Sequence, residues 1–376
     1  MKTSHSVAIT GFALIAVSYG LARFSWGLML PAVAQDIPFS PRLAGVLSAC
    51  SFAAYCLSVS AASLLSDRYG PRLPAMASAL SATVGLLMLA IATSPIMLAI
   101  GLFIAGLSAG LSSPSLAAVV SQAIHTHRQT QVNTIINAGT GAGIILSVPL
   151  LLFLPWRVAC AVFAVIALLS LIPVLRYLPQ AASERAAKQG GESLLQRRVM
   201  RLALIAFISG MASAAWWSFG PDVLRQHAHV ADKLISLLWL ICGGAGILGA
   251  LTGPVARAIG MRQVYRLALL FMAAPLLLIA FSHAFSWWLF PGVALCGIGY
   301  ITLSGVLLVG GADATPAAPA SGVGVVFFML AAGQVAGSML FGILYAQAGA
   351  ALALITFSLL AVAMVFYTPA ISSGSR

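Results

Sequence analysis

The stretch Tyr19-Gly-Leu-Ala-Arg-Phe-Ser-Trp-Gly-Leu-Met-Leu-Pro31 sets a guanidinium in the middle of a long apolar run. Such a run reads as a membrane-spanning helix, and an arginine at the centre of one costs about 2.5–3.5 kcal/mol on insertion scales. The cation therefore needs a water-filled cavity, an internal partner or a ligand. At 3.6 residues per turn, Tyr19, Trp26, Gly27 and Leu30 fall at i−4, i+3, i+4 and i+7 from Arg23 and share its face. The chemistry on offer is recognition: a cation to draw a negative group, and rings to hold an apolar portion beside it. We expect Arg23, Tyr19 and Trp26 to line a solute cavity.

Other polar or aromatic residues stand inside apolar runs. Asn133 and Asn137 are spaced i, i+4 on a face with Thr140 and Gly141; Gln334 lies between Gly333 and Gly337. These, with Trp216, Trp217 and Tyr300, are candidate solute contacts. The alternatives are inter-helix hydrogen bonding for the amides, packing for Tyr300 and interfacial anchoring for the tryptophans. Carboxylates are scarce. Asp36 and Asp222 follow Pro31 and Pro221 near helix ends, and Asp313 precedes Thr315-Pro316 in a loop, so no carrier for a coupling ion is singled out. The five cysteines, Cys50, Cys56, Cys160, Cys242 and Cys296, lie in apolar segments without a Cys-x-x-Cys or Cys/His cluster, which gives no metal site, cofactor or disulfide. A Gly-x-x-x-x-Gly-Lys-Ser/Thr loop for ATP is also missing, and nothing points to an enzyme.

The elements that must position these residues follow from composition. With 61% hydrophobic and 7% charged residues and a mean hydropathy of +1.04, the chain is far from the roughly 25% charge of a soluble domain. Its +12 net charge reflects membrane topology rather than nucleic-acid binding. Apolar runs divide it into twelve spans, near 7–34, 43–65, 73–93, 96–120, 132–154 and 157–178, then 199–220, 234–256, 263–282, 285–309, 320–346 and 348–369. The length and Arg23 of the first argue against a cleaved signal peptide. The fold class is thus all-α integral membrane, with an N-terminal six-helix bundle over 1–178, a cytoplasmic linker over 179–198 holding both glutamates, and a C-terminal bundle over 199–376. Of nineteen Lys and Arg, fourteen fall on one side, four (Arg42, Arg157, Arg225, Lys233) on the other, and Arg23 within a span; both termini are therefore expected in the cytoplasm.

The two halves echo one another at a shift of 190. Gly20, Trp26, Pro31, Val33, Gly70 and Arg72 fall on Gly210, Trp216, Pro221, Val223, Gly260 and Arg262 without a gap, while Arg23 falls on Ser213. Six spans per half give both halves one orientation, hence parallel repeats.

Between the second and third spans lies Ser63-Leu-Leu-Ser-Asp67-Arg68-Tyr-Gly70-Pro-Arg72. It resembles the signature loop of the major facilitator superfamily, Gly-x-Leu-x-Asp-Arg-x-Gly-Arg-Arg/Lys, with Ser63 for the first glycine and Pro71 for a basic residue. The opening Tyr19-Gly-Leu-Ala-Arg-Phe24 is similar to that of the YbfB/YjiJ-like bacterial group. The resemblance implies a secondary transporter working by alternating access, with Asp67, Arg68, Gly70 and Arg72 as a cytoplasmic gate. Departures limit the transfer. The helix-four arginine of many proton-coupled members is Leu102 here, and Pro149 is displaced from the Gly-Pro of drug antiporters, although Gly139, Gly141 and Gly143 are present. Close helix packing also explains those glycines. The expected solute is a small organic anion or amphipath, moved with protons across a bacterial inner membrane; drug/proton export and a non-transporting receptor remain the alternatives. Beyond solute, proton and lipid bilayer no partner is expected, and the oligomeric state stays open.

Overall fold

The computed structural model describes residues 2–180, 196–315 and 319–367, without the side chains at 2, 3, 63, 67, 126, 127, 130, 250, 251, 253, 319 and 320. Every regular element among them is helical. α1 runs in three parts, Lys2–Ile15, Ala16–Phe24 and Ser25–Asp36, followed by α2 (Pro41–Tyr69), α3 (Arg72–Ala90), α4 (Pro95–Ala123), α5 (Thr126–Phe153) and α6 (Trp156–Tyr177). After the linker come α7 (Arg197–Gln226), α8 (Asp232–Gly246, Ile247–Leu251 and Thr252–Ile259), α9 (Met261–Ala280) and α10 (Leu289–Ala314). The last stretch, Pro319–Phe366, breaks at Gly349 (φ 83°, ψ 168°) into α11 before it and α12 after it. Eleven described helices are long and apolar enough to cross a membrane when that stretch counts once, and the break makes twelve. The linker expected over 179–198 lies mostly outside the described residues.

Local chemistry sets the helix ends. Ser94 caps α4 by accepting from the Met97 amide, and Pro95 at the first helical position lacks a donor the helix cannot use. Gly349 has a backbone that an L side chain strains to adopt, yet nothing stands within 4 Å of a Cβ placed there. Gly349→Ala therefore isolates conformational strain, and should cost about 1–3 kcal/mol of stability. A melting curve in detergent checks this, and an unchanged midpoint would contradict the strained turn.

Packing divides the chain into two compact units. One takes in residues up to Phe39 and those from Cys50 to the linker; the other takes in Ser40–Ala49 and everything after the linker. In the first, Gly139 and Gly143 of α5 press on α1: a Cβ on Gly139 would strike the Phe12 carbonyl, and one on Gly143 the Ala16 carbonyl and the Gly20 Cα. In the second, Gly333 and Gly337 of α11 meet α7 at the Phe207 and Met211 carbonyls. Gly143 and Gly333 are 190 apart, so the repeat recurs in which backbones touch. The packing role of the α5 glycines is also accounted for. Ser40–Ala49 joins the second unit through Gly45, which approaches the Ser338 carbonyl and Gly342 of α11.

The turns repeat as well. Gly70 and Gly260 take φ values of 84° and 86°, and each amide bonds four residues back, to Ser66 and Ala256. In each half a residue at the start of the third helix caps the sixth. Arg72 Nε donates to the Leu178 carbonyl at 2.7 Å, and Tyr265 Oη to the Met364 and Tyr367 carbonyls at 3.0 and 3.2 Å. These contacts answer orphan carbonyls at helix C-termini.

Candidate functional site

Arg23 lies in the one part of α1 that is not an α-helix. Ala16–Phe24 is a π-helix, and the Ser25 amide that closes it reaches the Gly20 carbonyl five residues back. Such segments recur at functional sites. The local cause is legible in the packing. Gly20 of this segment meets the Gly143 backbone of α5, and Ser25 Oγ donates to the Leu21 carbonyl at 2.5 Å. The wider register breaks the 3.6-residue arithmetic that aligned Trp26, Gly27 and Leu30 with Arg23. Trp26 is buried, at 3% exposure.

The guanidinium points into protein. Arg23 is 6% exposed, and its central carbon lies 4.4 Å from the Tyr55 ring centroid, 4.9 Å from Phe52, 5.4 Å from Phe24 and 5.6 Å from Tyr19. Each such contact is worth about 0.5–2 kcal/mol, rising with desolvation. Tyr19 is fixed in turn: its hydroxyl donates to Tyr55 Oη at 3.3 Å and lies 2.8 Å from Ser113 Oγ of α4. At the preceding position of α4, Ser112 Oγ is 3.0 Å from Ser18 Oγ. Arg23 and Tyr19 thus come together as expected, while Phe52, Tyr55, Ser112 and Ser113 were not singled out. Their only signal was polar or aromatic type inside apolar spans.

The second unit carries an uncharged counterpart where the repeat replaces Arg23 by Ser213. Gln334 is fully buried and its amide donates to Ser213 Oγ and Tyr300 Oη, each at 3.2 Å. Trp217 stands edge-on to Tyr300 (5.1 Å) and Trp239 (5.6 Å), and Trp216 stacks on Trp239 at 5.6 Å. The Trp216 indole donates to Cys242 Sγ at 3.3 Å. Trp216, Trp217 and Tyr300 line a narrow crevice that also meets Ser213, Met272 and Cys296, and Gln334 joins them through Ser213 and Tyr300. Four expected residues therefore converge. Trp239, which holds both other indoles, was missed.

The remaining candidates stand apart. On α5, Asn133 is half-buried and Asn137 exposed. Asp222 is half-buried. In the gate loop Arg68 is exposed, with its guanidinium 5.4 Å from the Tyr69 ring. Gly70 makes the turn and Arg72 caps α6; the Asp67 side chain lies outside the described residues. All five cysteines are free thiols, and no group of His, Cys, Asp or Glu among the described residues is arranged to hold a metal.

The chain is thus an all-helical protein of long apolar helices, one of which buries a cation among aromatic rings. The chain is a member of the Major Facilitator Superfamily, whose family model matches residues 12–338. Solved structures share the fold. The nucleoside transporter NupG superposes with a TM-score of 0.73 at 16% identity over 97% of this chain and 98% of that one. A point mutant of the same transporter gives 0.78 at 14% identity, over 96% and 98%. The human organic anion transporter MFSD10 (TETRAN) gives 0.69 at 17%, over 97% and 99%. The protein is thus a multi-pass membrane protein of a transporter family.

Proposed function

We propose that the protein is a secondary active transporter that moves a small organic anion or amphipath by alternating access of its halves, driven by a proton gradient. The reading rests on one observation above all, the burial of Arg23 inside four aromatic rings. A permanently charged guanidinium held away from water is stabilised further by an anion than by any neutral ligand. The rings, Tyr19 among them, would hold the apolar part of the solute, and Trp26, Asn133, Asn137, Trp216, Trp217, Tyr300 and Gln334 complete the proposed contacts. Among solved structures of this fold, one is an organic anion transporter and another a nucleoside transporter, which fits a ring-bearing solute.

Asp67, Arg68, Gly70 and Arg72 form the proposed cytoplasmic gate, in a bacterial inner membrane with both termini inside. Asp222 is the proposed proton carrier. Among the described carboxylates Asp36 and Asp232 are held by Arg157 and Arg225 and Asp313 is exposed, which leaves the half-buried Asp222. A second reading, export of amphipathic compounds, is favoured by the uncharged aromatic cluster of the second unit.

The test is flux in proteoliposomes of benzenesulfonate, which stays ionised, against its neutral match benzenesulfonamide. Benzenesulfonate uptake should rise about tenfold with an imposed pH gradient and collapse with an uncoupler, and the amide should not be carried. Carriage of the amide alone would reject an anionic solute, and flux indifferent to the gradient would reject proton coupling.

A further inference from the structure

The end of α1 distant from the N-terminus carries a second built feature that solute transport does not use. There Asp36 forms an ion pair with Arg157 of α6 and accepts from the Trp156 indole at 3.2 Å. Arg157 also donates to the Ala92 carbonyl beyond α3 at 2.8 Å, and its guanidinium lies 4.2 Å from the Trp156 ring centroid. The pair therefore ties together the ends of three helices. It is not sealed: the side chains of Arg157 and Asp36 remain 35% and 46% exposed.

Beneath the pair runs a groove of about 480 Å³ between α1 and the end of α5, walled by apolar residues including Met29, Leu151 and Leu154. That volume lies within the roughly 300–1,000 Å³ of small-molecule sites. The groove thus joins an apolar slot to a plus–minus pair where the helices end, with an indole at the join. Tryptophan with one wet edge and one apolar edge marks the bilayer interface.

From this arrangement we infer that the groove binds one phospholipid with a zwitterionic headgroup. The phosphate would meet the free edge of Arg157, the ammonium would meet Asp36, and an acyl chain would fill the slot along Met29, Leu151 and Leu154. Charge selects the class. Four alternating charges attract in a ring, whereas an anionic headgroup brings no cation to offset its approach to Asp36. The slot requires the attached chain, so a free headgroup lacks most of the binding surface.

Native mass spectrometry on protein released from mixed micelles of phosphatidylethanolamine and phosphatidylglycerol tests this, with glycerophosphoethanolamine as the chainless control. We expect one phosphatidylethanolamine retained about tenfold over phosphatidylglycerol, no retention of the chainless control, and about tenfold loss in Arg157→Gln. Leu154→Trp leaves both charges in place and fills the slot, so it should abolish retention in protein that melts normally. Equal retention of the two lipids, binding of the chainless control, or full retention by Leu154→Trp would each overturn the assignment. The readout uses no transported solute, so it stands or falls independently of the proposed transport function.

Discussion

Arg23→Ala is expected to abolish carriage of benzenesulfonate, lowering kcat/KM about 100-fold or more, while changing the stability of the protein little. A charge-assisted hydrogen bond is worth about 1.5–3 kcal/mol, and a bidentate guanidinium–anion pair makes two. At about 1.4 kcal/mol per tenfold, their loss reaches the stated range. Stability should move little, because the void that Ala leaves among the rings of Tyr19, Phe24, Phe52 and Tyr55 destabilises while relief of a desolvated guanidinium acts the other way. Arg23→Lys keeps the charge but not the planar fork, and should retain a minor part of the flux. Flux with a melting curve checks both; an Ala variant that melts far lower would recast Arg23 as structural, and one with full flux would remove it from the site.

Gly143→Val should be strongly damaging to the first half. The added side chain would be driven into the Ala16 carbonyl and the Gly20 Cα, backbone atoms that cannot turn aside as a side-chain tip can. Overpacking of this kind costs about 1–3 kcal/mol and occasionally more. Its effect exceeds the stability loss, because the α5 crossing lies against the π-helical segment that carries Arg23. Gly333→Val, at the equivalent position against the Phe207 carbonyl, should lower the melting midpoint by a similar amount. Gly244→Ala, with nothing within 4 Å of the new methyl, should change it little. Equal midpoints for all three variants would mean that the glycine crossings do not hold the helices as described.

Span positions, the loop before α3 and the 190-residue repeat were legible because each rests on chemistry local to the chain. Apolar length sets the spans, and Gly70 and Gly260 mark turns that need positive φ. The tight separation of the last two spans appears as a break at Gly349, the residue type that permits it. The site was legible only in part. Arg23 and Tyr19 announced themselves as polar groups four apart in an apolar run. The π-helix did not, since i, i+3, i+4 counting presumes the α-helix, and the departure accompanies contact with Gly143 far along the chain. Phe52, Tyr55 and Trp239 were missed for the same reason: an aromatic residue in an apolar span looks like packing until its neighbours are known. The 3-10 turn Ile247–Leu251 interrupts α8 just after Gly243-Gly-Ala-Gly246, a glycine cluster that in hindsight marks the irregularity.

A structure determined with benzenesulfonate bound tests the role of Arg23 most directly. The sulfonate oxygens are predicted about 2.7–2.9 Å from the Arg23 guanidinium nitrogens, with the ring among Tyr19, Phe52 and Tyr55. Benzenesulfonate held elsewhere, with the guanidinium still enclosed by its four rings and touching no ligand, would contradict an anion-binding Arg23.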